Sequence, residues 1–158
     1  MRILAMMLTL LLVACGTAAT PDATGVPLAF GLVSFSGRDS VLAEFSKDHQ
    51  VRVIEDSKLA AGDPRPAFSI YTVRVPNASD KGFSGELRLN FFNDRLMEVR
   101  FYPDDVSAYR SAMRADKPGR FDRYVETRTA EDYRGHWYVA WADKRLRDEL
   151  DDWIERYA

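Results

Sequence analysis

One cysteine, Cys15, and two histidines, His49 and His136, are all that 158 residues hold of the softer metal-binding and redox side chains. A disulfide within the chain needs a second cysteine, and a thiolate metal centre needs several. Neither histidine has a companion at metal-ligand spacing, so no metal and no cofactor is expected. Charge of one sign is also scarce: 22 Lys and Arg against 24 Asp and Glu leave a formal net charge of −2. Such a balance provides no electrostatic reason to expect nucleic acid as a partner. Long apolar runs are missing too. Residues 3–14 carry no charge, but they stop at Cys15, well short of the roughly 20 residues that a membrane-spanning helix requires.

The common catalytic signatures are absent as well. A nucleophile elbow needs Gly-x-Ser-x-Gly between a strand and a helix, and the nearest text, from Gly31 through Ser34 and Ser36 to Gly37, has the wrong spacing. There is no His-Glu-x-x-His, no phosphate-binding loop of the Walker type and no EF-hand loop. Gly82-Phe83-Ser84-Gly85 reads as a turn between two strands.

What is present begins at the amino terminus. Met1-Arg2 supplies a short positive region, followed by an apolar stretch ending in Leu12-Val13-Ala14-Cys15, with Gly16 next. That is the organisation of an export signal, not of an anchor. The four residues Leu12 to Cys15 resemble the lipobox of bacterial lipoproteins, in which a dedicated peptidase cuts just before the cysteine. The resemblance covers residues 1–16 and implies a signal peptide at 1–14 and acyl chains on Cys15, which would also remove that thiol from nucleophilic chemistry. Several acyl chains on one residue anchor stably where one binds marginally. In double-membrane bacteria, similar lipoproteins stay on the inner membrane when Asp follows the lipidated cysteine. Here Gly16-Thr17 follow, so the resemblance implies the periplasmic face of the outer membrane.

Removing 14 of 158 residues leaves 144, the size of one domain able to bury its own core. Loss of Arg2 changes the balance to 21 basic against 24 acidic residues, a net of −3. Residues 15–25 are small or polar after the cysteine and read as a flexible tether, which leaves 26–158 as a single globular domain.

Within it, Ser36 and Asp39 have the layout of a capping box, and Val41, Leu42 and Phe45 follow at helical spacing, predicting a helix over 38–47. Residues 50–55 alternate as a short strand and 56–66 read as a loop. Strands are predicted over 69–75, ended by Pro76-Asn77, and over 85–92 and 95–102. The last two form a hairpin. Opposed residues share a face, so a two-residue Asn93-Asp94 turn would place Glu98 against Leu89. A three-residue loop, 93–95, pairs Phe91 with Met97, Leu89 with Val99 and Leu87 with Phe101, and is therefore expected.

Pro103-Asp104-Asp105 starts a helix whose stripe is Val106, Tyr109 and Met113. Residues 121–129 and 133–142 look like a second hairpin around Ala130-Glu131-Asp132. A final helix, capped by Asp143, carries Leu146, Leu150, Trp153, Ile154 and Tyr157 on one face. The expected class is α+β: an antiparallel sheet of about five or six strands with helices packed on one face and two successive strand-strand-helix units. Over residues 30–102 this layout resembles small envelope lipoproteins of the outer-membrane-assembly (SmpA) type and β-lactamase-inhibitor-like domains.

Three features invite chemistry. Asp148-Glu149-Leu150-Asp151-Asp152 is explained by i,i+4 pairing of Lys144 with Asp148, Arg145 with Glu149, Arg147 with Asp151 and Asp152 with Arg156. Trp137, Trp141 and Trp153 are explained by packing between the last strand and the last helix. Arg110, Arg114 and Lys117, continued by Arg120 and Arg123, make a basic helical edge able to dock phosphate headgroups or an acidic partner. The expected function is a lipid-anchored, non-catalytic module that binds another envelope protein in assembly, inhibition or scaffolding. The alternative is an envelope hydrolase or small-ligand carrier with a site assembled from distant residues.

Overall fold

The computed structural model describes residues 24–115 and 123–158. The expected signal peptide, Cys15, most of the tether, Lys117 and Arg120 lie outside the described residues. The elements run α1 (Arg38–Phe45), β1 (Arg52–Lys58), β2 (Ser69–Asp80), β3 (Phe83–Phe92), β4 (Arg95–Pro103), α2 (Val106–Ala115), β5 (Val125–Glu131), β6 (Trp137–Asp143) and α3 (Lys144–Tyr157). The strands form one antiparallel sheet in the order β1-β2-β3-β4-β6-β5. No described helix is long and apolar enough to cross a membrane.

Alternation along the strands sorts side chains between two unlike faces. Val73, Val75, Leu87, Leu89, Val99 and Phe101 are all fully buried in the main core. That core is closed from above by the N-terminal segment, α1 and α2. Phe30 packs on Phe101 and Trp141, and Tyr109 of α2 packs on Phe101 and Trp137. The opposite face is largely polar, with an apolar cluster at one end, where Phe92 and Met97 meet Leu146 of α3 with Phe35, Phe68, Ile70 and Leu150 around them, and a smaller one of Tyr102, Tyr138 and Ala140. The expectation that helices share one face is therefore corrected: α1 and α2 cover the apolar face and α3 the other. Its cause is local, because Met97 is extruded to the polar side and α3 has its own apolar patch to cover.

The hairpin between β3 and β4 explains that extrusion. Leu89 opposes Val99 and Leu87 opposes Phe101, but Phe91 opposes Leu96, not Met97, and Phe92 opposes Arg95. The turn is the two-residue Asn93-Asp94, with φ of 47° and 59°, left-handed values that Asn and Asp tolerate. The extra residue sits in a bulge within β4, which restores the faces beyond it. Other expectations shift similarly. β1 continues to Lys58 and β2 passes Pro76-Asn77 through a register shift between Val75 and Ala78. The cap of α1 is Gly37 with no side-chain hydrogen bond, not Ser36. The second hairpin turns beyond Glu131, where Asp132 N donates to His136 O at 2.9 Å.

Trp137 and Trp141 do not face α3. They lie on the α2 side, while Trp153 stacks on Phe68 at 4.2 Å and donates from Nε1 to Pro66 O at 3.1 Å. Of the expected pairs along α3, Asp152 meets Arg156 at 3.3 Å. Arg147 instead binds Glu126 at 2.8 Å, Glu149 binds Arg95, and Arg145 binds Asp143 at 2.7 Å.

Candidate polar groove on the open sheet face

The outward residues of six strands line up into rows, because antiparallel registry places like positions side by side. One row reads Arg52, Arg74, Arg88, Arg100, Ala140, Arg128 from β1 across to β5, each directly opposed to the next. At about 4.8 Å per strand, that row spans roughly 24 Å. The adjacent row reads Glu55, Thr72, Asn90, Glu98, Ala142, Glu126. Like charges directly opposed destabilise a sheet, so five arginines in register need counter-charge.

Two carboxylates provide it. Glu98 is only 2% exposed. Its Oε2 accepts from Arg100 Nε at 2.9 Å, Arg100 Nη2 at 2.7 Å and Asn90 Nδ2 at 3.1 Å, while Oε1 accepts from Arg128 Nη2 at 2.9 Å. Arg100 and Arg128 stand two strands apart and converge because Ala140 between them is small and buried. Burial alone would raise the pKa of Glu98. The hydrogen bonds and charges of Arg100 and Arg128 outweigh that and hold it below the usual carboxylate range. Glu86 does the same for the next pair, accepting from Arg88 Nε at 2.8 Å and lying 3.5 Å from Arg74 Nη1. Arg88 also stacks over Tyr102 at 4.0 Å and donates to its hydroxyl at 3.0 Å.

These residues floor a concave surface with two connected ends. At the α3 end, Phe68, Ile70, Met97, Leu150 and Ile154 border a hollow of about 340 Å³ whose polar wall includes Glu98. At the other end, Arg74, Arg88, Asp132, Tyr133 and Arg134 border a hollow of about 350 Å³. Ile54, Glu55 and Arg88 belong to both. The rim is apolar and accessible: Ile54, Ile154 and Tyr133 are 48%, 45% and 87% exposed. Two polar atoms of the second hollow's walls, Arg74 Nε and Asp132 Oδ2, are buried without a hydrogen-bond partner. Asp132 lies 3.7 Å from both Arg88 Nη1 and His136 Nδ1.

The basic edge read from the sequence lies elsewhere. Arg110 and Arg114 share an edge of α2 and border a shallow hollow of about 290 Å³ with Met113, Thr129 and Trp137, and Arg110 lies over the Trp137 ring. Arg123 lies over Tyr124. His49 packs against Phe45, and no cluster of three metal-ligating side chains occurs among the described residues. The groove went unread although the sequence carries a signal for it. Glu86-x-Arg88, Glu98-x-Arg100 and Glu126-x-Arg128 repeat one outward-facing pair on three strands. No family model and no curated protein sequence matches the chain.

Proposed function

We propose that this chain is a lipid-anchored envelope lipoprotein whose folded domain is a non-catalytic module, binding another envelope protein through the polar groove. The observation that carries the reading is the groove's composition: arginines in fixed positions, an exposed tyrosine and exposed isoleucines around a preformed hollow. Arginine and aromatic residues are enriched where proteins dock, and rigid side chains lose little entropy on binding. The chemistry of Glu98 supports binding over catalysis. Both of its oxygens are held by guanidiniums and the side chain is buried, so it is kept ionised and enclosed away from a substrate's proton. The address rests on the lipobox of Leu12 to Cys15, and the acyl chains would confine the module to a membrane surface where such partners are concentrated.

Two measurements test this. Labelled palmitate is expected to enter the native chain and not Cys15→Ser, which should lose its partition with membrane lipoproteins; equal labelling of the two would overturn the address. A photo-crosslinking residue at Tyr133 is expected to capture a defined envelope protein in intact cells, whereas one at Arg110 is not. Capture at neither position, or equally at both, would overturn the groove as the binding surface.

A further inference from the structure

The partner's chemistry is written in the groove, and this inference rests on the binding-module reading above. Five arginines stand in register on one face, and Glu86 and Glu98 are each shared between two of them. Arg52, at the end of the row, is exposed and donates to Gln50. Arg74 is the least enclosed of the clamped arginines; its Nε, like that of Arg128, is buried without a hydrogen-bond partner, so its accessible donors are the terminal nitrogens. Beside these stands Arg134 on the loop that walls the second hollow. The positive character is therefore concentrated at the β1–β2 end of the row, next to Tyr133. The other hollow is apolar where Phe68, Ile70, Met97 and Leu150 line it.

We infer that the groove seats an extended acidic segment of a partner protein, with an apolar side chain in the hollow beneath α3 and a carboxylate against Arg74 and Arg134. Spacing follows from β2 itself. Ile70 belongs to the apolar hollow and Arg74 to the basic one, four residues apart along a strand, or about 13 Å. An extended partner spans the same distance in four residues, so the segment reads apolar-x-x-x-Asp or apolar-x-x-x-Glu. Guanidiniums match a planar carboxylate with two parallel hydrogen bonds.

A dense polyanion or an anionic bilayer fits less well. Glu55 and Asp132 border the groove, and Asp148, Asp151 and Asp152 lie on α3 beside it, so a surface carrying many negative charges meets repulsion as well as attraction. A segment with one carboxylate and one apolar anchor brings a single negative charge to a hollow where Arg74, Arg88 and Arg134 outnumber Glu55 and Asp132.

The test uses the full chain in a non-ionic detergent and a fluorescent peptide, acetyl-Gly-Ser-Leu-Ser-Thr-Ser-Glu-Ser-Gly-amide, followed by polarisation. Binding is expected, at least about tenfold weaker for the peptide with Gln in place of Glu and for the one with Ser in place of Leu. Moving Glu two residues closer to Leu should weaken it similarly. Arg74→Gln and Arg134→Gln should each reproduce the loss, whereas Arg110→Gln on α2 should not. Binding should fall between about 50 and about 300 mM salt. Near-ultraviolet circular dichroism of each variant separates lost binding from lost folding. Equal affinity for the Glu and Gln peptides, no binding of either, or preferential binding to phosphatidylglycerol vesicles would overturn the inference. If Tyr133 still captures an envelope protein while the peptide fails, the acidic-segment assignment falls alone; if both fail, the binding-module reading falls with it.

Discussion

Glu98 is buried on the face that strand alternation assigns to solvent, because Arg100, Arg128 and Asn90 close over it. Removing its charge by Glu98→Gln leaves two partly exposed guanidiniums to repel each other. Breaking a fully buried pair costs about 3 to 5 kcal/mol, and solvent reaching the arginines lowers the expectation here to about 2 to 3 kcal/mol. The folded pKa is depressed, so this stabilisation is complete above the unfolded carboxylate value of about 4.3 and is lost as pH falls through the folded value. Urea unfolding should show the gap between native chain and Glu98→Gln at pH 7 and its closure on acidification below about pH 4. A constant gap would mean that Glu98 acts through shape alone. Gly85 is constrained differently: a Cβ there would sit 2.3 Å from the carbonyl oxygen of Tyr102 and 2.8 Å from the Phe101 ring. Gly85→Ala must displace backbone, with an expected loss of about 1 to 3 kcal/mol in the same measurement.

At the scale of elements, α3 is held at its start and along one side. Asp143 is fully buried and accepts from Arg145 N at 3.0 Å and from Ser34 Oγ at 2.6 Å, tying the cap to the N-terminal segment. Burial would raise its pKa, but bonds from Arg145 and Ser34 prevail and lower it. Leu146 is completely enclosed, whereas Ile154 and Tyr157 remain accessible. Truncation after Asp143 uncovers Phe92 and Met97. The buried Leu146 alone contributes about 1.5 to 3 kcal/mol, with Leu150 and the Trp153–Phe68 stack in addition. The shortened chain is expected to unfold or aggregate, and an unchanged thermal midpoint would show that α3 is a detachable arm. What it exposes is the Phe92 and Met97 patch, not the tryptophan face that periodicity alone suggested.

For the whole molecule, the N-terminal segment is part of the core. Val26 is buried, Phe30 packs on Phe101 and Trp141, and Phe35 N donates to Leu96 O at 3.0 Å. Packing already involves Thr24, whose carbonyl accepts from Arg145 Nη2 at 3.0 Å, and Gly25, whose Cβ would meet Ser34 O at 2.1 Å. A chain beginning at residue 24 is expected to give a native near-ultraviolet circular dichroism spectrum, and one beginning at residue 36 to lose it. Retention of the spectrum by the shorter chain would place the segment outside the fold.

The sequence by itself determined the order of helices and strands and the apolar face of the sheet, since the alternation of apolar and polar residues in β3 and β4 and the stripes of α2 and α3 are local patterns of side-chain direction. It also carried the end of the central hairpin to within one residue: parity demanded an odd offset, although parity cannot say whether the odd residue lies in the turn or in a bulge. Tertiary structure alone decided the rest. Which face α3 would cover depended on where Met97 was extruded, and the arginine row exists only because five strands, distant in sequence, meet in one register. A charged residue on the outer face of a single strand is indistinguishable from a solvated one until its neighbours across the sheet are known, because the burial of Glu98 is made by Arg100 on its own strand together with Asn90 and Arg128 from two others.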